Sequence, residues 1–277
     1  MQEPPIIYFH VGLGKTASTY LQHRVFPQLK GIKYIPTNQY KRCLEIIQKG
    51  VEKSYLVSRE FDRQFEREVS WFCSEHPDAR IIVVFRKHDK WIASQYRRHV
   101  KGGFYKDFKS FIDVEQNKGF WDRKELIYMD KIKVIEKYST QPPLILFHED
   151  IANDPISFIQ KIVDFCDAKI NFKAISFKPK HTAWSDKQLL AVKKFRNKFV
   201  SRDIYGGRNR LENWIYYRPW WALFHLVMYS AQIIPKSWFA SASEHLIHQY
   251  DLDKVTDFTK EDWKALRAYA DNLSKRK

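Results

Sequence analysis

From the N-terminus to about residue 170, short apolar runs alternate with longer stretches whose apolar residues recur every three or four positions. Ile6-Ile7-Tyr8-Phe9 and Arg80-Ile81-Ile82-Val83-Val84-Phe85 have no polar alternation, the pattern of strands covered on both faces. Residues 54–58 and 143–148 read the same way, and 32–35 as a shorter strand. Helical spacing fills the gaps. Residues 18–29 carry Tyr20, Leu21, Val25, Phe26 and Leu29, 40–50 end in a closing glycine, and 61–75 place Phe61, Phe65, Val69 and Phe72 before the stop His76-Pro77. Residues 104–138 hold two helical segments, the second at 124–138, and Asp154-Pro155 opens a helix through Cys166 with aspartate as cap. Strands alternating with helices at these lengths predict an α/β fold, a central parallel sheet flanked by helices on both faces.

Beyond residue 170 the alternation fades into helices. Ser185 is placed to cap a helix running to Phe199, and Thr259-Lys260-Glu261-Asp262 to open a closing helix over 263–273. The division this suggests is a core over 1–200 and a helical, aromatic-rich C-terminal extension over 201–277. Within residues 214–239, the run Pro219–Tyr229 is nearly continuous in apolar and aromatic side chains but too short for an uninterrupted membrane span, with Arg218 before it, His225 inside it and Pro235-Lys236 after it. Residues 214–239 fit a core helix, the wall of an aromatic pocket, or a helix lying at a membrane surface.

The chemistry concentrates between the first strand and the first helix, in His10-Val11-Gly12-Leu13-Gly14-Lys15-Thr16-Ala17-Ser18-Thr19. A strand, a glycine-containing turn with one lysine and several hydroxyls, then a helix start make a phosphate cradle. Backbone N–H groups and the helix dipole face the anion, and glycine allows close approach. The GKT ending matches a Walker A loop, but Phe9 stands where that motif needs its first glycine. A second basic element ends the Arg80–Phe85 strand: Arg86, followed eight residues later by Ser94. Ligands collect at that end of parallel sheets.

These two elements resemble those of the sulfotransferase family, whose bacterial members carry G-x-x-K-[TS]-[GA]-[ST]-T-x-L-Q after the first strand. The match runs without a gap from His10 to Gln22, with Gly14 where proline is more usual and Ala17 where glycine is. The resemblance implies 3'-phosphoadenosine 5'-phosphosulfate (PAPS) as cofactor and 3',5'-diphosphoadenosine as product. It assigns Gly14, Lys15, Thr16, Ala17, Ser18 and Thr19 to the 5'-phosphate side, and Arg86 with Ser94 to the 3'-phosphate that distinguishes PAPS from ATP. A basic loop before a late helix closes over the nucleotide in the family, which places Lys180 on the 3'-phosphate side; a solvated loop is the other reading of that lysine. Ser58-Arg59-Glu60 resembles the family's S-[SR]-E segment, so Glu60 is the first candidate for the general base, with His99 and then His10 behind it. Lys15 is the catalytic candidate for the leaving-group oxygen, because sulfuryl transfer, like phosphoryl transfer, relies on positioning and charge stabilisation. No His/Cys ligand cluster suggests a metal.

Composition agrees. With 44% hydrophobic and 16% aromatic residues the chain is not disordered, and 277 residues suffice for one sizeable core. Cys43, Cys73 and Cys166 form no C-x-x-C pair and read as reduced structural thiols. The start Met1-Gln2-Glu3-Pro4-Pro5 lacks a basic and apolar leader, so the expectation is a bacterial cytoplasmic enzyme, alternatively peripheral at the inner membrane. The net charge of +16 favours anionic ligands and an acidic acceptor or membrane surface. Basic residues are dispersed, without a zinc-finger or RNA-recognition motif, which argues against nucleic acid. The expected reaction is sulfuryl transfer from PAPS to a hydroxyl of a carbohydrate or lipid-linked acceptor, a glycan or glycolipid. A small-molecule kinase and a non-catalytic polyanion-binding protein are the alternatives.

Overall fold

A computed structural model describes residues 4–177, 184–199 and 210–275. In chain order the strands are β1 (Ile6–His10), β2 (Lys33–Ile35), β3 (Ser54–Ser58), β4 (Arg80–Phe85) and β5 (Leu144–Phe147). The α-helices are α1 (Ser18–Tyr20), α2 (Cys43–Lys49), α3 (Phe65–Glu75), α4 (His88–Lys101), α5 (Phe108–Phe111) and α6 (Tyr128–Tyr138). They continue as α7 (His148–Asn153), α8 (Pro155–Phe165), α9 (Asp186–Phe199), α10 (Arg210–Ile233) and α11 (Gln249–Lys275). The described chain forms two compact units: Met1–Trp91 with Ile127–Lys180 and Thr259–Lys277, and Ile92–Leu126 with His181–Phe258.

The first unit holds the whole sheet, five parallel strands in the order β2-β3-β1-β4-β5. Helices cover both faces, as the apolar runs require. On one face Tyr8, Leu56, Ile82, Val84 and Leu146 pack against Leu21, Val25 and Phe26 and against Phe158, Ile159 and Ile162 of α8. On the other, Phe9 meets Tyr40, Phe61 and Phe72, its ring 4.0 Å from that of Phe72 in α3. Burial pushes the thiols of Cys43 and Cys73 up to about 11 and that of Cys166 to about 12.

The sheet order also fixes where a ligand can sit. From β1 the chain leaves toward β2 and β3, whereas from the adjacent β4 it leaves toward β5. The C-terminal ends of β1 and β4 therefore flank the topological switch point, where the two departing loops part and open a crevice.

Several helices differ from expectation for identifiable reasons. The helix over 18–29 is unevenly wound: α1 passes into a π-helical turn at Leu21–Val25 and a 3-10 turn at Phe26–Gln28 that contains Pro27, which has no N–H to give. Helix α3 begins at Phe65 rather than Phe61, because Phe61 donates its N–H to the Gly12 carbonyl and remains beside β1. Gly50 closes α2 without a left-handed turn (φ −83°). A Cβ there would instead strike the Tyr55 hydroxyl and lie 2.8 Å from the Ile46 carbonyl oxygen. The segment over 124–138 divides into a 3-10 turn, Arg123–Leu126, and α6.

Thr259 does not open a helix. It is buried in the middle of α11, and Asp262 caps a different element. Its two oxygens accept the N–H groups of Tyr128 (2.9 Å) and Met129 (3.0 Å) at the start of α6, and one also bonds His88 Nε2 at 2.8 Å. Burial raises the Asp262 carboxyl, but these hydrogen bonds outweigh it and hold the group below the usual carboxylate range.

In the second unit, Ser185 and Gln188 form a capping box at the start of α9, each side chain bonding the other's backbone N–H at 3.3 and 3.0 Å. Gln188 also donates to the Met228 carbonyl of α10 (3.1 Å), buried Arg196 donates to the Gly103 carbonyl (2.8 Å), and Arg97 grips Asp186 through two bonds of 2.7 and 2.9 Å.

Candidate functional site

The loop after β1 is held from three sides. The Leu13 carbonyl accepts the Thr16 hydroxyl at 2.6 Å and the Ser18 hydroxyl at 3.3 Å, so these two hydroxyl hydrogens face into the loop. Segment 59–62 runs alongside: Arg59 donates its N–H to the His10 carbonyl, Phe61 to Gly12, and the Asp62 carboxylate accepts the Gly14 N–H at 3.0 Å. From α4, buried Trp91 donates its indole N–H to the Gly14 carbonyl at 2.8 Å. The left-handed residues of the loop are Lys15 (φ 74°) and Ala17 (φ 71°). Each costs about 1 kcal/mol or more without glycine's freedom, strain that the surrounding bonds hold in place.

Gly12 is required by a close approach. A Cβ at this position would overlap the Ser18 hydroxyl and stand 2.8 and 2.9 Å from two ring atoms of His10. His10 is fully buried, its Nδ1 bonded to the Ser58 hydroxyl at 2.8 Å and its ring edge-on to Phe26. Burial pushes this imidazole down to about 3, so it is neutral at physiological pH. Gln22 donates to the same Ser58 oxygen at 3.1 Å. Sealed from solvent, His10 supports the strand end rather than facing an acceptor.

Lys15 and Thr19 are the exposed polar side chains of the loop. Arg86, half-buried at the end of β4, donates from Nη1 to the Lys15 carbonyl at 3.3 Å across 71 residues of sequence. Its own carbonyl accepts the Tyr128 hydroxyl at 2.9 Å. Tyr128 stacks on His88 with ring centres 4.0 Å apart, and the Asp262–His88 bond stands behind that pair. The first unit thus brings together Gly14, Lys15, Thr16, Ala17, Ser18, Thr19, Arg86 and the Glu60 segment.

Ser94 and His99 lie on the part of α4 that belongs to the second unit. His99 bonds through Nδ1 to the Gln95 carbonyl of its own helix at 2.9 Å, with its ring against Phe111, Phe120 and Trp121. Lys180 lies outside the described residues. The sequence did not announce Asp62 and Trp91, side chains that clamp the loop; the signal available was a tryptophan five residues past Arg86.

No protein-family model matches the sequence, and no curated protein matches it. Among solved structures, a sulfotransferase from Alicyclobacillus acidocaldarius aligns over 73% of this chain and 98% of its own, with a TM-score of 0.50 and 16% identity. The chain has the sulfotransferase fold. The mouse sulfotransferase SULT7A1 complexed with PAP is a looser match, covering 96% of this chain and 89% of its own at 12% identity and a TM-score of 0.47. In the first unit a lysine, a hydroxyl and an arginine stand with backbone N–H groups at the C-terminal ends of β1 and β4. That donor set suits an anionic ligand.

Proposed function

We propose that this chain is a sulfotransferase that moves the sulfuryl group of PAPS to an acceptor hydroxyl, on a carbohydrate or lipid-linked molecule, by in-line displacement. The observation that carries this reading is the bond joining Arg86 to the backbone of Lys15. It joins two basic residues from separate motifs at the C-terminal ends of β1 and β4, which supports a shared anion site at the sheet's switch point. A polyphosphate chain alone needs only the first; the second suits a further phosphate on the ribose.

The chain's residues fit that ligand. Gly12 keeps the loop floor low, Thr19 and the N–H groups at the head of the helical run over 18–28 face an anion, and the Arg86 fork meets a phosphate through two bonds. Thr16, Ala17 and Ser18 contribute through the backbone, since the hydroxyls of Thr16 and Ser18 are turned to Leu13. When bound, PAPS supplies the sulfuryl group and a 3',5'-diphosphoadenosine leaving group. Lys15 offsets negative charge on the bridging oxygen. Glu60, whose neighbours Arg59 and Phe61 are both bonded to the loop, is the base that takes the acceptor proton. Ser94 and Lys180 enter this assignment through the family resemblance alone, and His99 stands behind Glu60 as the alternative base.

The test is calorimetry of the full chain with 3',5'-diphosphoadenosine and with ADP, followed by turnover of PAPS against an acceptor panel. The wild-type protein is expected to prefer the 3'-phosphorylated nucleotide, and Arg86→Ala to lose roughly ten- to a hundredfold of that affinity. Lys15→Ala should lower transfer by about two to three orders of magnitude with little change in stability. Equal affinity for the two nucleotides overturns the reading. Binding without turnover on any acceptor favours the polyanion-binding alternative.

A further inference from the structure

Helix α10 is apolar on two opposite faces. One row, Phe224, Met228 and Ala231, is buried, and Gln188 of α9 bonds the Met228 carbonyl on this side. Half a turn away runs a second row, Ile215, Ala222, Leu226, Tyr229 and Ile233, at spacings of seven, four, three and four. This row is exposed, Leu226 at 62% and Ile233 at 89%. A helix that is apolar all round is normally covered all round. The surface continues through Phe199 and Trp238, which with Leu226 line an open groove of about 830 Å³.

The charges around this face identify its partner. On helices α9 and α10, Lys198 and Arg218 are exposed and Lys187 and Lys193 half-buried, whereas Arg196 is buried and Lys194 is paired with Glu244 at 2.6 Å. Asp186 is already neutralised by Arg97. From Asn213 to Ile233 there is no acidic residue. Lys194 and Lys198 edge the groove, and the cations of Lys198 and Arg218 lie over the rings of Phe199 and Trp214. Exposed Trp214, Trp221, Tyr229 and Trp238 have the apolar body and polar tip that suit a headgroup boundary. Among the described residues no helix is long and apolar enough to cross a membrane.

From this juxtaposition we infer that the outer face of α9 and α10 seats on the surface of an anionic lipid bilayer. Leu226, Tyr229 and Ile233 enter the acyl boundary, and the exposed Lys198 and Arg218 meet the headgroups. The contact is lateral rather than spanning. It does not rest on the transfer reading, and either stands if the other fails.

The experiment is co-sedimentation of the full chain with vesicles of phosphatidylcholine alone and of phosphatidylcholine mixed with phosphatidylglycerol, together with sedimentation equilibrium in the absence of lipid. Binding is expected to the mixed vesicles, to weaken as salt is raised, and to be far poorer on phosphatidylcholine alone. The double variant Leu226→Gln/Ile233→Gln should lose about tenfold or more of that binding while melting as the wild type does. Equal binding of variant and wild type, equal binding to both vesicles, or no vesicle binding overturns the inference. A concentration-dependent dimer that the double variant abolishes would assign the face to a second copy of this chain instead.

Discussion

The sheet of the first unit and the α9–α10 pair of the second use apolar surface in opposite ways. In β1, β3 and β4 alternate side chains point to alternate faces, and helices meet both sets: Phe9 and Tyr8 are neighbours in sequence and both are buried. In α10 the two apolar rows also point to opposite sides, but only the Phe224 row is covered by the chain itself. Apolar surface on two sides is explained by the fold in one region and left unexplained by it in the other. A buried run reports on architecture; an exposed run of the same composition reports on a partner.

The sharpest way to break this comparison is to remove a side chain that the fold fully covers. Phe72 is buried beneath Phe9, and truncation to alanine leaves a cavity between α3 and the sheet that the neighbours only partly fill. Phe72→Ala should cost about 3–5 kcal/mol in urea unfolding. A loss below about 1 kcal/mol would mean that this face is not the packed core described.

A smaller effect comes from a polar residue buried on the sheet's opposite face, beside Phe26. His10 is held neutral by burial, its imidazole pushed from 6.5 down to about 3. Between those values the unfolded chain takes up a proton at this site and the folded chain does not. Stability is therefore present in full above pH 6.5 and is lost as pH falls toward 3, by up to about 1.4 kcal/mol per pH unit. His10→Gln should flatten that part of the profile when unfolding midpoints are compared from pH 7 to 4.5. Parallel profiles for the two proteins would show that His10 is solvated.

Much of this was legible in the sequence. The strands were, because short β-branched runs between turn residues leave few alternatives; Ser54–Ser58 and Arg80–Phe85 have the expected bounds. The cradle was also visible, since its chemistry is contiguous. What holds the cradle was not. Trp91 bonds Gly14 across 77 residues and Asp62 bonds it across 48, and nothing in the spacing of either residue announces the contact. The long closing helix was hidden for a different reason. Over α11 the buried residues Val255, Thr259 and Leu266 are sparse among charged positions, so only its last part showed helical spacing. Asp262 resembled a cap because it is one, for α6 rather than for its own helix.

The smallest expected change is also the most discriminating between the two regions. Leu226 and Ile233 are large apolar side chains on a helix, and by residue type alone their replacement by glutamine resembles a core lesion. Their exposure says otherwise: the folded chain in water already leaves them wet, so little transfer energy is forfeited. Either single substitution should alter unfolding free energy by no more than about 0.5 kcal/mol, an order of magnitude below the cost at Phe72. A loss of several kcal/mol would place the outer row of α10 inside the folded chain's own core, and the contrast between a sheet that covers its apolar faces and a helix that offers one would disappear.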